Sequence, residues 1–212
     1  IQSYSSDGTQ VFFIFSLGTN YCIASYPGLS PGDTLCSQLL IAATEDGTQV
    51  RITPQATTMG GHLAGVPFTV NLNQGQTYQL IAASETSDLT GTFIEATDSS
   101  GACRPFAVFS GTGCSNVPST CFSCDILFDQ AIATPFWGKS YYAAPYSFAT
   151  QYTLRILAQQ NGTSCTVNGG APVSLNAGQF TEINSITTAT CIQANKPISV
   201  IQYMEGSSCA VN

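Results

Sequence analysis

Three blocks of sequence occur twice in the same order, and this internal repeat limits the possible folds more than any single segment does. ATEDGTQVRI from Ala43 to Ile52 returns as AQQNGTSCTV from Ala158 to Val167. LNQGQTYQL from Leu72 to Leu80 returns as LNAGQFTEI from Leu175 to Ile183, and PFAVF from Pro105 to Phe109 returns as PISVI from Pro197 to Ile201. Each copy reads strand, [DN]-G-T turn, strand, L-N-x-G-Q turn, strand and a closing Pro-led strand. The offset between the copies shrinks along the chain, so they differ by loop deletions. Two related units of roughly a hundred residues each are expected. The second copy runs out at the C-terminal end and the first lacks an obvious beginning. The chain therefore reads as a piece of a longer repeat protein.

Alternation of apolar and polar residues, rich in β-branched and aromatic types, says what the units are made of. Strands are predicted at Gln10–Leu17, Gln38–Thr44, Gln49–Thr53, Thr77–Ala83, Gly91–Ala96, Pro105–Ser110, Tyr152–Ala158 and Pro197–Tyr203. The D-G at Asp46 and the N-G at Asn161 are dipeptides that accept positive φ in tight hairpins. One short helix is predicted at the junction, over Asp125–Ala133, with an Asp at the N-cap position and Pro135 just past its end. The fold class is all-β: two tandem antiparallel units, sandwich-like, with propeller-like blades as the alternative. The expected boundaries are 1–112 for the first unit, 113–138 for a disulfide-stapled junction and 139–212 for the second unit.

Composition narrows the function classes. Charged residues make up only 8% of the 212, so the polar surface is built from Ser, Thr, Asn, Gln and Gly. No apolar run approaches the roughly 18 residues a membrane-spanning helix needs. Five basic against twelve acidic residues give a net charge of −7. Arg51, Arg104, Lys139, Arg155 and Lys196 are scattered, whereas phosphate binding needs them clustered. Neither nucleic acid nor membrane insertion is expected.

Nine cysteines accompany a single histidine, His62. Mixed Cys/His zinc sites are therefore nearly excluded, and the C-x-x-C of Cys121 and Cys124 has no second pair to complete an all-Cys site. A redox dithiol would open a helix after a strand, but here a Ser/Thr-rich loop with Pro118 surrounds it. Disulfides and an oxidising, extracellular compartment remain. Cys22–Cys36 would close the loop YPGLSPGDTL. Cys165 stands in the place of Val50 and Cys191 in that of Phe93, which suggests Cys165–Cys191 as a bridge replacing an apolar pair. With nine cysteines at least one pairs elsewhere or stays a thiol, and Cys209 is the expected one.

Catalysis has little to build on. His62 lies in a loop segment without a G-x-S-x-G elbow, and dispersed acids such as Asp7, Asp88, Glu95, Asp98, Asp125 and Asp129 sit near turns. No enzyme and no cofactor is expected. Calcium is the one ion the composition allows, at the acidic turns Ser84–Asp88 and Thr97–Gly101, which lack EF-hand spacing. Asn161-Gly-Thr163 is a glycosylation sequon on a predicted turn. The run from Phe136 to Tyr146 gathers Trp137, Tyr141, Tyr142 and Tyr146, either as a recognition patch or as core packing with Trp137 as a plug.

A family resemblance rests on an ordered series of blocks: DLTGTFI from Asp88, PFAVFSG from Pro105, CSNVP from Cys114, Cys124-Asp125, Trp137-Gly138 and PISVIQY from Pro197. Together they resemble the IgGFc-binding protein N-terminal domain family, from about Leu40 to Tyr203. The resemblance implies a secreted or surface-displayed multidomain protein, some members being adhesive. The family's two recurrent cysteines fall on Cys114 and Cys124, implying that they bridge. Cys121 is then the extra member, with Cys103, in an insertion from Asp98 to Arg104, or Cys209 as its partner. No Fc-contacting residue carries over. The expected function is a non-catalytic extracellular binding or adhesion module for a protein or glycan. The alternative is a self-associating subunit of an extracellular filament or stalk.

Overall fold

The computed structural model describes residues 8–29, 35–97 and 104–210. The first half of the chain forms β1 (Asn20–Cys22), β2 (Ser37–Ala43), β3 (Thr48–Thr53), β4 (Phe68–Leu72), β5 (Thr77–Ile81), β6 (Phe93–Ala96), β7 (Phe106–Ser115) and β8 (Asp125–Gln130). They assemble into two four-stranded sheets, β1-β6-β3-β4 and β5-β2-β7-β8. Along β3 the period-2 pattern places Val50 and Ile52 in the core and Arg51 in solvent. Tyr21, Val50, Ile52, Leu72 and Ile94 of the first sheet share one buried cluster with Leu39, Ile41, Leu80, Phe106 and Val108 of the second. Two sheets closing on a common apolar layer is a sandwich.

The second half forms β9 (Gly138–Ala143), β10 (Tyr152–Ala158), β11 (Thr163–Val167), β12 (Val173–Leu175), β13 (Phe180–Ile186) and β14 (Thr190–Met204). Their order is β12-β11-β14-β10-β13, with β9 also on β14. The repeat explains this sheet. In the first unit Val50 and Ile52 face Ala96 and Ile94 of β6, while Ile41 faces Val108 of β7. In the second, Cys165 and Val167 face Ala194 and Ile192, and Ile156 faces Val200, all three partners lying on β14. The single 15-residue strand β14 thus does the work that β6 and β7 share in the first unit.

The repeated turns hold each other in place. Asn73 Oδ1 accepts the Gly47 N–H (3.2 Å) and Asp46 Oδ1 accepts the Gln74 N–H (3.0 Å). The second copy repeats both bonds, Gly162 N–H to Asn176 Oδ1 (3.4 Å) and Ala177 N–H to Asn161 Oδ1 (3.0 Å). In each L-N-x-G-Q turn the Gln side chain accepts the Asn N–H, and Gly75 and Gly178 supply the positive φ. The polar residues of the repeat are therefore spent on satisfying turn backbone.

Backbone contacts divide the chain into two compact units, one running to Ser115 and including Ile126–Phe136, the other comprising Asn116–Asp125 and everything from Trp137. The expected junction 113–138 is shared out between them.

Several sequence expectations are corrected. Asp125–Ala133 is not a helix; its first six residues are β8. The N-cap Asp and following Pro are real helix signals, but β7 offers an edge, and the Phe128 ring stacks on Phe109 at 5.6 Å. Tertiary pairing overrides local propensity there. Gln10–Leu17 joins no ladder among the described residues; it runs extended into a 3-10 turn at Ile14–Ser16, and the Phe12 N–H is taken by the Gln130 side chain.

Two expected bridges are absent, Cys22, Cys36, Cys165 and Cys191 all being thiols. Parity along the strands explains both. Cys165 faces Ala194, three residues from Cys191, so the two cysteines point to opposite sides of the sheet. The alignment of Cys165 with Val50 and Cys191 with Phe93 was sound, but Phe93 faces Thr53 and not Val50. Likewise Tyr21 and Ile23 point into the core that Cys36 joins, so Cys22 between them points away from it.

Burial pushes the Cys22 thiol up to about 12. Such a group favours the neutral form in the fold, so nothing is lost below the unfolded value near 9. Stability then falls as pH rises from 9 towards 12, because only the unfolded chain ionises there. That loss amounts to at most about 4 kcal/mol. Urea unfolding of the wild type should steepen in pH dependence over this range relative to Cys22→Ala; parallel curves would refute the assignment.

Candidate functional site

A fourth repeated element, missed in the sequence, begins each unit. Gly18 and Tyr21 stand in the first as Gly138 and Tyr141 stand in the second. The Gly18 N–H donates to the Tyr21 hydroxyl (2.9 Å), which donates to the Phe106 carbonyl (2.7 Å). The Gly138 N–H donates to the Tyr141 hydroxyl (2.8 Å), which donates to the Ile198 carbonyl (2.8 Å). The signal was Leu-Gly-x-x-Tyr against Trp-Gly-x-x-Tyr, too short to stand out without the register. Tyr141 is therefore a framework residue, and Trp137, only 9% exposed, is packed away with it.

The aromatic run separates into two classes. Tyr146 is half-buried, its hydroxyl on the Gln202 carbonyl (3.4 Å) and its ring edge-on to Tyr152. Tyr142 and Phe148 are open to solvent, at 83% and 67% exposure. Tyr142 faces Cys191 across β9 and β14, and Ser140 faces Gln193 beside it. A hydrogen bond with the Cys191 side chain is the main cause holding the Tyr142 phenol above its usual range. The position equivalent to Tyr142 in the first unit is Cys22, which faces Phe93 and is 2% exposed. The same framework site is thus covered in one copy and presents an aromatic ring in the other.

Cys121 and Cys209 form a disulfide across 88 residues of sequence, and Cys114 and Cys124 are disulfide-bonded as well. Cys209 is therefore not the cysteine left over but the partner of Cys121, one of the two pairings that the resemblance had left open. Gly206 is what brings it there: its N–H bonds the Val117 carbonyl, and a Cβ on it would lie 2.5 Å from the Cys121 carbonyl oxygen. Cys103 lies outside the described residues. Buried Glu205 sits beside this disulfide, accepting from the Thr153 hydroxyl (2.9 Å) and the Ser185 N–H (2.6 Å). Glu205 with the sulfurs of Cys121 and Cys209 makes a ligand-like cluster, but both sulfurs are committed to each other.

The remaining candidates have local partners. His62 stacks on Phe68 at 3.5 Å and its Nε2 meets the Tyr78 hydroxyl at 3.3 Å. Glu95 pairs with Arg51 and Asp129 accepts from the Thr9 hydroxyl. Of the two acidic turns, Ser84–Asp88 is closed on itself by Ser84–Ser87 bonds and by Asp88 accepting the Thr90 N–H. The other lies partly outside the described residues, as do Asp7 and Asp98. Asn161 is exposed at its turn tip with Oδ1 engaged.

The family model for IgGFc binding protein matches residues 7–212. The chain belongs to the IgGFc binding protein family. No curated protein matches it. The IgGFc binding protein family is a binding-domain family, and the disulfides and two β units described above are this member's version of it. No helix among the described residues is long and apolar enough to cross a membrane.

Proposed function

We propose that this protein is a non-catalytic extracellular binding or adhesion module, and that it meets its protein or glycan ligand through the exposed rings of Tyr142 and Phe148. The observation that carries this reading is the divergence of the two copies. Their framework bonds are the same, while the site of buried Cys22 in one is the site of exposed Tyr142 in the other. Exposed tyrosine beside small polar partners is the composition of recognition surfaces, offering large contact area at little conformational cost. Paired cysteines support an oxidising, extracellular compartment, and the N-G-T at Asn161 is a candidate glycan site there. The family's description makes the Fc portion of immunoglobulin G one ligand to test.

The test is biosensor binding of immobilised protein to immunoglobulin G Fc, mucin and a glycan array. The wild type should bind at least one, and Tyr142→Ala with Phe148→Ala should weaken that binding tenfold or more, since centrally placed aromatics cost over 1 kcal/mol when truncated. Equal binding by the double variant would remove the site from these rings. A wild type that binds nothing would remove the reading itself.

A further inference from the structure

Glu205 is a carboxylate buried beside a disulfide, only 2% exposed next to Cys121–Cys209. A carboxylate in the interior is tolerated when donors satisfy its oxygens. Oε1 is held: the Ser185 N–H donates to it at 2.6 Å, and the Thr153 hydroxyl lies 2.9 Å away. That hydroxyl has one hydrogen for two acceptors, since Asn184 Oδ1 is 3.0 Å from it. Ser185 adopts φ of +56°, left-handed for a residue with a Cβ, where its N–H meets the carboxylate. The carboxylate is thus fixed in orientation by a site short of donors.

Oε2 is the exception. Among the described residues its one partner is Cys121 Sγ, 3.8 Å away. A disulfide sulfur carries no hydrogen, so among these residues nothing donates to Oε2 while the bridge is closed. A Cys121 thiol in the same place would carry the missing donor. An acceptor left unmet in the interior is costly, and here the open form supplies what the closed form lacks. The two sulfurs also differ in access. Cys121 is 2% exposed, whereas Cys209 is half-buried and follows exposed Ser207 and Ser208.

We propose that the Cys121–Cys209 bridge is a thiol-exchange site, with Cys209 the position that a low-molecular-weight thiol modifies and Glu205 the acceptor that holds the released Cys121 thiol. A half-buried sulfur admits a small thiol more readily than a folded protein. The incoming thiol ionises and its sulfur attacks Cys209 Sγ. A new S–S bond forms to Cys209, the old one breaks, and its electron pair leaves on Cys121 Sγ. The proton given up by the incoming thiol returns through solvent to Cys121, whose S–H then donates to Glu205 Oε2. One disulfide and one thiol become one disulfide and one thiol, with no net oxidation. Loop closure still favours the closed bridge, and Glu205 offsets part of that preference. The test reads thiol exchange, not ligand capture by Tyr142 and Phe148.

Glutathione is the probe, in buffer containing a metal chelator. Wild-type protein is mixed with reduced glutathione, quenched in acid and digested, and mass spectrometry locates the adduct. It should sit on Cys209 roughly tenfold or more over Cys121. This measurement needs no variant, so it decides even where a variant does not fold. Glu205→Gln keeps the Oε1 acceptor and turns the other oxygen into an N–H donor. In dithiothreitol redox buffers it should lower the equilibrium constant for opening Cys121–Cys209 about tenfold, a shift of about 30 mV. The Cys114–Cys124 bridge, followed in the same samples, should not move. No adduct, an adduct on Cys121, an unchanged opening equilibrium in folded Glu205→Gln, or an equal shift in both bridges would each overturn the proposal.

Discussion

Gly111→Ala is expected to separate β8 from β7 and to cost the first unit more than 4 kcal/mol, beyond the range of ordinary substitutions. A Cβ at Gly111 would stand 1.7 Å from the Leu127 carbonyl oxygen and 2.6 Å from its carbon. Both are backbone atoms of β8, so no side chain can swing aside, and the strand has to move by more than an ångström. That movement breaks the β7–β8 ladder and pulls apart the Phe109–Phe128 stack. Gly75→Ala is the control, with φ at +78° but nothing within 4 Å. It should cost only the left-handed backbone penalty of about 1–2 kcal/mol. Chemical denaturation of the two variants measures the contrast; similar losses would show that β8 does not depend on the close approach.

Cys121→Ser with Cys209→Ser should destabilise the second unit by about 4–5 kcal/mol, the loop-entropy value for a bridge enclosing roughly 90 residues. The effect arises in the unfolded chain, which the bridge holds compact over the 88-residue separation. Part of it is local, because the four-residue helix Ser207–Ala210 and the backbone bonds of Gly206 hold Cys209 beside Cys121. Denaturation midpoints with and without reductant should shift more in the wild type than in the double variant, where only the Cys114–Cys124 bridge is left to reduce. A reductant effect of the same size in the double variant would place the stabilisation elsewhere.

The candidate site was legible only in part. The aromatic run was visible, but which rings face water was not. Tyr141 and Tyr142 are neighbours of the same type, and strand alternation sends the Tyr141 hydroxyl to the Ile198 carbonyl and the Tyr142 ring to the exposed side, beside Cys191. Likewise the cysteines could be counted from the sequence, yet their partners depend on parity. Cys165 fills the place of Val50 as a small apolar residue, and its nearest β14 partner is Ala194.

By itself the sequence determined the all-β class, the two related units and the turns that begin and end their hairpins. Those features are local: alternation, glycines at positive φ and Asn or Asp side chains that bond backbone a few residues away. Tertiary structure alone decided that Asp125–Gln130 is a strand, that Cys121 pairs with Cys209, and that Gln10–Leu17 joins no ladder among the described residues. Each of these depends on which edge, which face or which distant carbonyl is within reach, and residues far apart in the chain settle that.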